Sequence, residues 1–179
     1  PNVITVQGGT NFPHEDEQQK EFLITRPNTD IHILFEGEKS FCNIAQRVFD
    51  NNWDRKQIFN SPIDGTAFLS SKREDSSYLQ LIKGSVVDRI KNLDDIPSPY
   101  LNGMMEVFFD GKLTPFIETN RGCPFKCSFC HTGHDHFQKT NTFSTDRIYK
   151  EIFYIGPRAQ KLGITNLHIA DTNFGMYPR

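Results

Sequence analysis

Three thiols stand close together in the stretch Arg121-Gly122-Cys123-Pro124-Phe125-Lys126-Cys127-Ser128-Phe129-Cys130, with the spacing Cys-x3-Cys-x2-Cys. Thiolate sulfur is the soft donor that iron–sulfur clusters select. A 4Fe-4S cube held by three cysteines keeps one iron without a protein ligand, and an open position on a metal is where chemistry rather than structure tends to happen. Gly122 and Pro124 shape the loop so that backbone can wrap the cube closely. His131, His134 and His136 follow downstream, and three Cys with one His would also satisfy tetrahedral zinc. Zinc modules usually split their ligands into two pairs on separate knuckles, whereas these thiols are bunched on one loop. Iron–sulfur is therefore the first reading and a zinc-stabilised Cys/His binding module the alternative. The histidines read as polar loop residues. No side chain is assigned a catalytic role of its own.

The composition narrows the setting. With 36% hydrophobic and 23% charged residues, the 179-residue chain reads as globular rather than disordered, and it is long enough for one or two domains. A net charge of −2 without a long basic run argues against nucleic acid as a partner. Apolar runs such as Ile31–Phe35 are too short to span a bilayer, so no membrane is expected. Four cysteines are too few for a disulfide scaffold, which makes a reducing, cytoplasmic setting the default. No signal-peptide pattern opens the chain. It starts at Pro1 and ends at Arg179 beside apolar segments, and both ends read as cut from a longer protein.

The elements that must position the thiols follow from periodicity. Val3–Val6 reads as a short strand closed by Gly8-Gly9, Glu15–Leu23 as a helix, and Pro27, Asn28 and Asp30 as a turn. Ile31–Phe35 is a second strand. Phe41, Ile44, Ala45, Val48 and Phe49 recur at helical spacing, with Cys42 expected to be buried on the same apolar side. Strand, helix, strand, helix is the pattern of a parallel α/β sheet. Asn51–Asp64 reads as loop. Gly65–Ser70 and Tyr78–Lys83 could pair as a hairpin across the polar segment Ser71–Ser77, and Asp88–Tyr100 reads as an extended linker at a domain boundary. Thr114–Thr119 is the strand that delivers the cysteine loop. Ser144 or Thr145 can cap a helix from Asp146 to about Leu162, whose apolar side is Ile148, Ile152, Ile155 and Leu162 and whose stop is Gly163. Asn166–Ala170 is a further strand, with Asp171-Thr172-Asn173 at its end.

The loop resembles the CxxxCxxC signature of the radical S-adenosylmethionine (SAM) superfamily, including the aromatic residue, here Phe129, before the last cysteine. The resemblance implies that Cys123, Cys127 and Cys130 bind a 4Fe-4S cluster and that the open iron chelates SAM. It implies that Phe129 lies near the adenine and that Asp171 or Asn173 holds the methionyl amine, although the common Gly-Gly-Glu pattern is missing there. One electron, from a donor such as flavodoxin or ferredoxin, would then cleave SAM to a 5′-deoxyadenosyl radical that acts on a small-molecule substrate. Cofactor chemistry of this kind leaves the protein to orient and to exclude water.

The first half resembles the cobalamin-binding domain found ahead of the barrel in one radical SAM subfamily. The matching features are Val3–Gly9 ending in Gly8-Gly9, Ile31–Glu38, and the linker Leu93–Pro99. That resemblance implies cobalamin near Gly8 and Gly9 and a methyltransferase. A methylthiotransferase-like enzyme is the runner-up, although its extra cysteines are not matched by the lone Cys42. A nucleotide-binding domain is a third reading, without its full Gly-x-Gly-x-x-Gly pattern. The expected fold class is α/β: residues 1–60 as the C-terminal part of a Rossmann-like parallel sheet domain, 61–105 as hairpin and linker, and 106–179 as the first βα units of a (β/α) barrel with the cluster loop. From Thr114 onward 66 residues remain, whereas a whole barrel takes roughly 200 or more. A last strand with an open edge is expected, and so is a piece that is inactive alone.

Overall fold

The structure, a computed structural model, describes residues 3–70 and 79–175. Its internal contacts divide the chain into two units, Pro1–Arg89 and Ile90–Arg179.

The first unit is a four-stranded mixed sheet in the order β1-β2-β3-β4. β1 (Val6–Gln7) runs parallel to β2 (Ile31–Ile33) through the crossover helix α1 (Asp16–Ile24). α2 (Gly37–Asp50) and the short α3 (Arg55–Ile58) lead to β3 (Thr66–Leu69), which is antiparallel to β2 and to β4 (Leu81–Lys83). The expected parallel sheet is therefore parallel in only one pair. The hairpin expected apart from it, at 61–105, is instead its antiparallel edge. Of that hairpin, Ser71–Tyr78 lie outside the described residues.

Alternation explains why β3 belongs here. Successive strand residues face opposite sides. Ile31, Ile33 and Phe68 point into one core with Ile44, Val48, Ile58 and Ile63, while Leu34, Ala67 and Leu69 point into the other with Phe12 and Leu23. Both faces of β2 and β3 are covered, so every residue of each is buried.

Two expectations fail for identifiable reasons. The buried stripe of α2 is Ser40, Ile44 and Val48. Phe41 and Phe49 face out at 55% and 78% exposure, and Cys42 is exposed rather than buried. The helix sits so close to the sheet that a Cβ on Gly65, whose φ is +81°, would lie 2.0 Å from Ser40 Oγ. Only a small side chain fits that contact, so the bulkier stripe turns outward. Within Asn51–Asp64, read as loop, Asp54 accepts a hydrogen bond from the Lys56 N–H (2.9 Å) and caps α3. A single turn is too short to show periodicity.

The second unit pairs β5 (Phe116–Ile117) in parallel with β8 (His168–Ile169) across α4 (Thr145–Lys161). Ser144 caps α4 by accepting from the Arg147 N–H (3.1 Å), and Gly163 follows it with φ +69°. Its buried residues are Glu151, Ile155 and Ala159, while Ile152 and Leu162 are more than a third exposed. Ile155 and Ala159 pack on Ile117 and Tyr100. The segment expected as a linker is clamped onto this helix: Ser98 Oγ donates to Glu151 Oε1 (2.6 Å), Arg147 Nε donates to the same oxygen (2.7 Å), and Arg147 Nη1 donates to the Ile96 carbonyl (2.9 Å). Breaking such a buried pair costs about 3–5 kcal/mol, which makes the segment part of the unit. On the side of β5 away from β8, the Tyr100 hydroxyl donates to the Phe116 carbonyl (2.8 Å) and accepts from the Phe116 N–H (3.2 Å), so one phenol satisfies an open strand edge. No helix among the described residues is long and apolar enough to cross a membrane.

His32 makes the first unit sensitive to pH. It is 1% exposed, stacked on Phe12 (centroids 3.9 Å apart) and edge-on to Phe22, and its Nδ1 donates to the Ile33 carbonyl (2.8 Å). Desolvation lowers its pKa below the ordinary 6.5. At alkaline pH the ring is neutral in both states and the fold has its full stability. As pH falls through 6.5 the unfolded chain binds the proton first, so stability declines until the folded pKa is passed. Urea melts followed through Trp53, the single tryptophan, should show a lower midpoint at about pH 5.5 than at about pH 7.5. The substitution His32→Phe should flatten that difference, and a wild-type midpoint that does not move would contradict the account.

Candidate functional site

The cysteine loop leaves the C-terminal end of β5. A second pair of strands, β6 (Asn120–Arg121) and β7 (Asn141–Thr142), closes its base as an antiparallel ribbon. The Phe143 N–H donates to the Thr119 carbonyl (3.0 Å) just outside the ribbon, and the Cys123 N–H donates to the Phe137 carbonyl (2.9 Å) just inside it. Gly122 has φ +109°, and a Cβ there would stand 2.6 Å from both the Phe137 and Lys139 carbonyl oxygens. Only glycine lets the two arms of the loop approach this closely. Arg121 Nε donates to Glu118 Oε2 (2.8 Å) across the same turn.

All three thiols on the loop are free. Cys123 is buried, and Asn173 Nδ2 donates to its sulfur at 3.7 Å. Cys127 and Cys130 are exposed, joined by a turn in which the Cys130 N–H donates to the Cys127 carbonyl (3.0 Å). Cys130 Sγ lies 3.1 Å from Thr132 Oγ1. The Thr132 hydroxyl, then neighbouring backbone N–H groups, pull the Cys130 thiol below its ordinary range toward thiolate, the form that binds metal. Phe129 is 92% exposed, so its ring is largely open among the described residues. Among the described residues, no three His, Cys, Asp or Glu side chains are gathered as ligands around one point. In type and number the donors fit a thiolate-held cluster: three unpaired sulfurs on one loop with an anchored base. His131 and His136 lie in two short turns, His131–Gly133 and Asp135–Phe137, with His134 between the two and His131 packed against Phe137.

The Asp171-Thr172-Asn173 segment does meet the loop, but not as expected for both of its polar residues. Asn173 reaches Cys123. The Asp171 carboxylate, expected to face a ligand amine, accepts from Thr119 and Asn120 instead: at Oδ1 from the Thr119 N–H (2.6 Å) and the Asn120 N–H (3.2 Å), and at Oδ2 from Asn120 Nδ2 (2.7 Å) and the Thr119 hydroxyl. Thr119, Asn120 and Thr132 are the site residues that motif reading missed. The only signal for the first two was a pair of polar residues between an apolar strand and the cysteine motif. In the first unit Gly8 and Gly9 follow β1 at its C-terminal end; Gly9 has φ +117° and open space where a side chain would be.

No family model matches the chain. It is 31% identical over its full length to the cobalamin-dependent radical SAM methyltransferase TokK of Streptomyces tokunonensis. It is 26% identical, also over its full length, to the 2-(S-pantetheinyl)-carbapenam-3-carboxylate methyltransferase of Streptantibioticus cattleyicolor. The chain spans 24% of each of these relatives. Its fold resembles part of the cobalamin-dependent SAM radical enzyme OxsB, with a TM-score of 0.62 at 18% identity over 96% of this chain and 21% of that one. The CxxxCxxC loop thus stands at the end of a strand in a β–α–β unit, in a chain that is similar over its full length to part of a cobalamin-dependent radical SAM methyltransferase.

Proposed function

We propose that this chain is the part of a radical SAM enzyme that holds a 4Fe-4S cluster through Cys123, Cys127 and Cys130, and that the whole protein transfers a methyl group with the help of cobalamin. The observation that carries the reading is the loop itself: three free thiols, pinned by β6 and β7 where the first strand of a β–α–β unit ends. Bound there, the cluster would supply one electron to break the sulfonium bond of SAM and release the 5′-deoxyadenosyl radical. The rest falls to the chain. Cys123 is held in place by its backbone bond to Phe137 and by the Asn173 amide. Thr132 favours the thiolate of Cys130. Phe129 offers an exposed ring face for the adenine to stack on. Cobalamin would lie beyond the C-terminal ends of β1 and β2, near Gly8 and Gly9, where α/β sheets take their ligands. The electron would come from a small donor protein such as flavodoxin or ferredoxin, and the substrate is a small molecule.

Anaerobic reconstitution of the full-length protein should yield about four irons with matching sulfide at this loop and broad absorbance near ~400 nm that bleaches with dithionite. Cys127→Ala should lose most of that iron; unchanged iron would sink the ligand assignment. About one zinc and no sulfide would favour the zinc-stabilised module instead. Gly122→Ala tests the loop base without touching a ligand. Forcing a side chain into the left-handed region and against two carbonyls costs about 1–3 kcal/mol, so it should lower cluster loading at least about fivefold at limiting iron. Loading equal to wild type would mean that the approach at Gly122 is not needed.

A further inference from the structure

The Asp171 carboxylate is full. A carboxylate offers about four lone-pair sites, and four donors within the chain take them: two backbone N–H groups at Oδ1, and the Thr119 hydroxyl and Asn120 Nδ2 at Oδ2. All four come from Thr119 and Asn120, just ahead of the Arg121-Gly122-Cys123 turn. Asn120 is 4% exposed, and its amide orientation is forced, because its N–H must face the carboxylate. These are charge-assisted bonds, each roughly twice as strong as a neutral one. Together they fix two consecutive peptide planes where the chain leaves the sheet and turns into the cysteine loop.

We infer that Asp171 is a positioning residue: from the end of β8 it staples Thr119 and Asn120, sets the direction in which the cysteine loop departs, and does not accept the amine of SAM. Two residues on, Asn173 reaches the Cys123 sulfur from the same strand end. One short segment therefore holds the loop base by its backbone and the first thiol by its sulfur. That the loop so held carries a cluster rests on the function proposed above; the staple does not.

Hydrogen exchange of the full-length, metal-free protein, read by mass spectrometry on peptides covering Thr119–Cys123, reports the staple directly. Asp171→Asn places an N–H2 group against donors, so exchange there should speed up at least about threefold; a smaller change overturns the proposal. Should that variant not fold, Thr119→Val removes one donor to the same carboxylate and is judged by the same threshold. Thr119→Ser keeps the hydroxyl and should stay close to wild type; exchange as fast as in Thr119→Val would remove the hydroxyl from the account. In the reconstituted protein, Asp171→Asn should alter the EPR signal of the reduced cluster before any SAM is added. A signal identical to wild type without SAM, but no longer shifted by SAM, would make Asp171 a ligand of SAM and overturn the assignment. A wild-type protein that takes up neither iron nor sulfide would sink the radical SAM reading, while the exchange result would still decide the staple.

Discussion

The parallel pairing of β5 with β8 is the constraint on which the cysteine loop depends. Those strands lie about fifty residues apart in the chain, and only the return through α4 puts Asp171 beside Thr119 and Asn173 beside Cys123. A parallel pair cannot form without such a crossover. The crossover in turn needs a helix that buries one side, and Ile155 and Ala159 on Ile117 and Tyr100 provide it. With two residues in each strand, the pairing is too brief to stand on ladder hydrogen bonds alone. The Asp171 carboxylate extends it past Ile117 by side-chain bonds, and the Tyr100 hydroxyl closes the opposite edge of β5. Geometry at the loop is thus inherited from packing at α4.

The first unit solves a different problem with similar parts. Its single parallel pair, β1 with β2, is flanked by an antiparallel edge that completes both cores. The cost of burying β2 on both sides is visible at His32, the one polar residue in a strand of three. Its neutral ring is tolerated because the Ile33 carbonyl takes its N–H and two phenylalanines take its faces. Burial disfavours the charged imidazolium and lowers the pKa, outweighing the Ile33 carbonyl, which favours the charged form.

How much of this was legible follows the range of the interactions. α4 was readable because its Ser144 cap, apolar spacing and Gly163 stop are all local. Ile31–Ile33 and Thr66–Leu69 were readable as apolar runs. The orientation of α2 was not: Phe41-Ala45-Phe49 and Ser40-Ile44-Val48 are both helical stripes, and the contact between Ser40 and Gly65 that selects the second exists only in the fold. The partnership of β2 with β3, which turned an expected separate hairpin into a sheet edge, is nonlocal in the same way. At the site, the cysteines announced themselves by spacing, whereas β6 and β7 are Asn-Arg and Asn-Thr, with no apolar alternation to mark them. Asp171 was found, but its bonds to Thr119 and Asn120 were not legible, since nothing in a strand-end Asp tells whether its acceptors face a ligand or the chain.

That distinction bears on how the loop would meet its cluster. Cys123 is buried, bonded through its backbone to Phe137 and through its sulfur to Asn173, and seated three residues after Asn120. Cys127 and Cys130 are exposed, in a stretch built from short turns with no residue in the apolar core. Metal binding commonly completes folding where the ligands are not yet gathered. With the cluster proposed above, the buried sulfur of Cys123 would define where the first iron sits relative to β5 and β8, and the exposed Cys127 and Cys130 would complete the set. Precision is then needed only at the loop base, which is where Gly122, Thr119, Asn120 and Asp171 concentrate it.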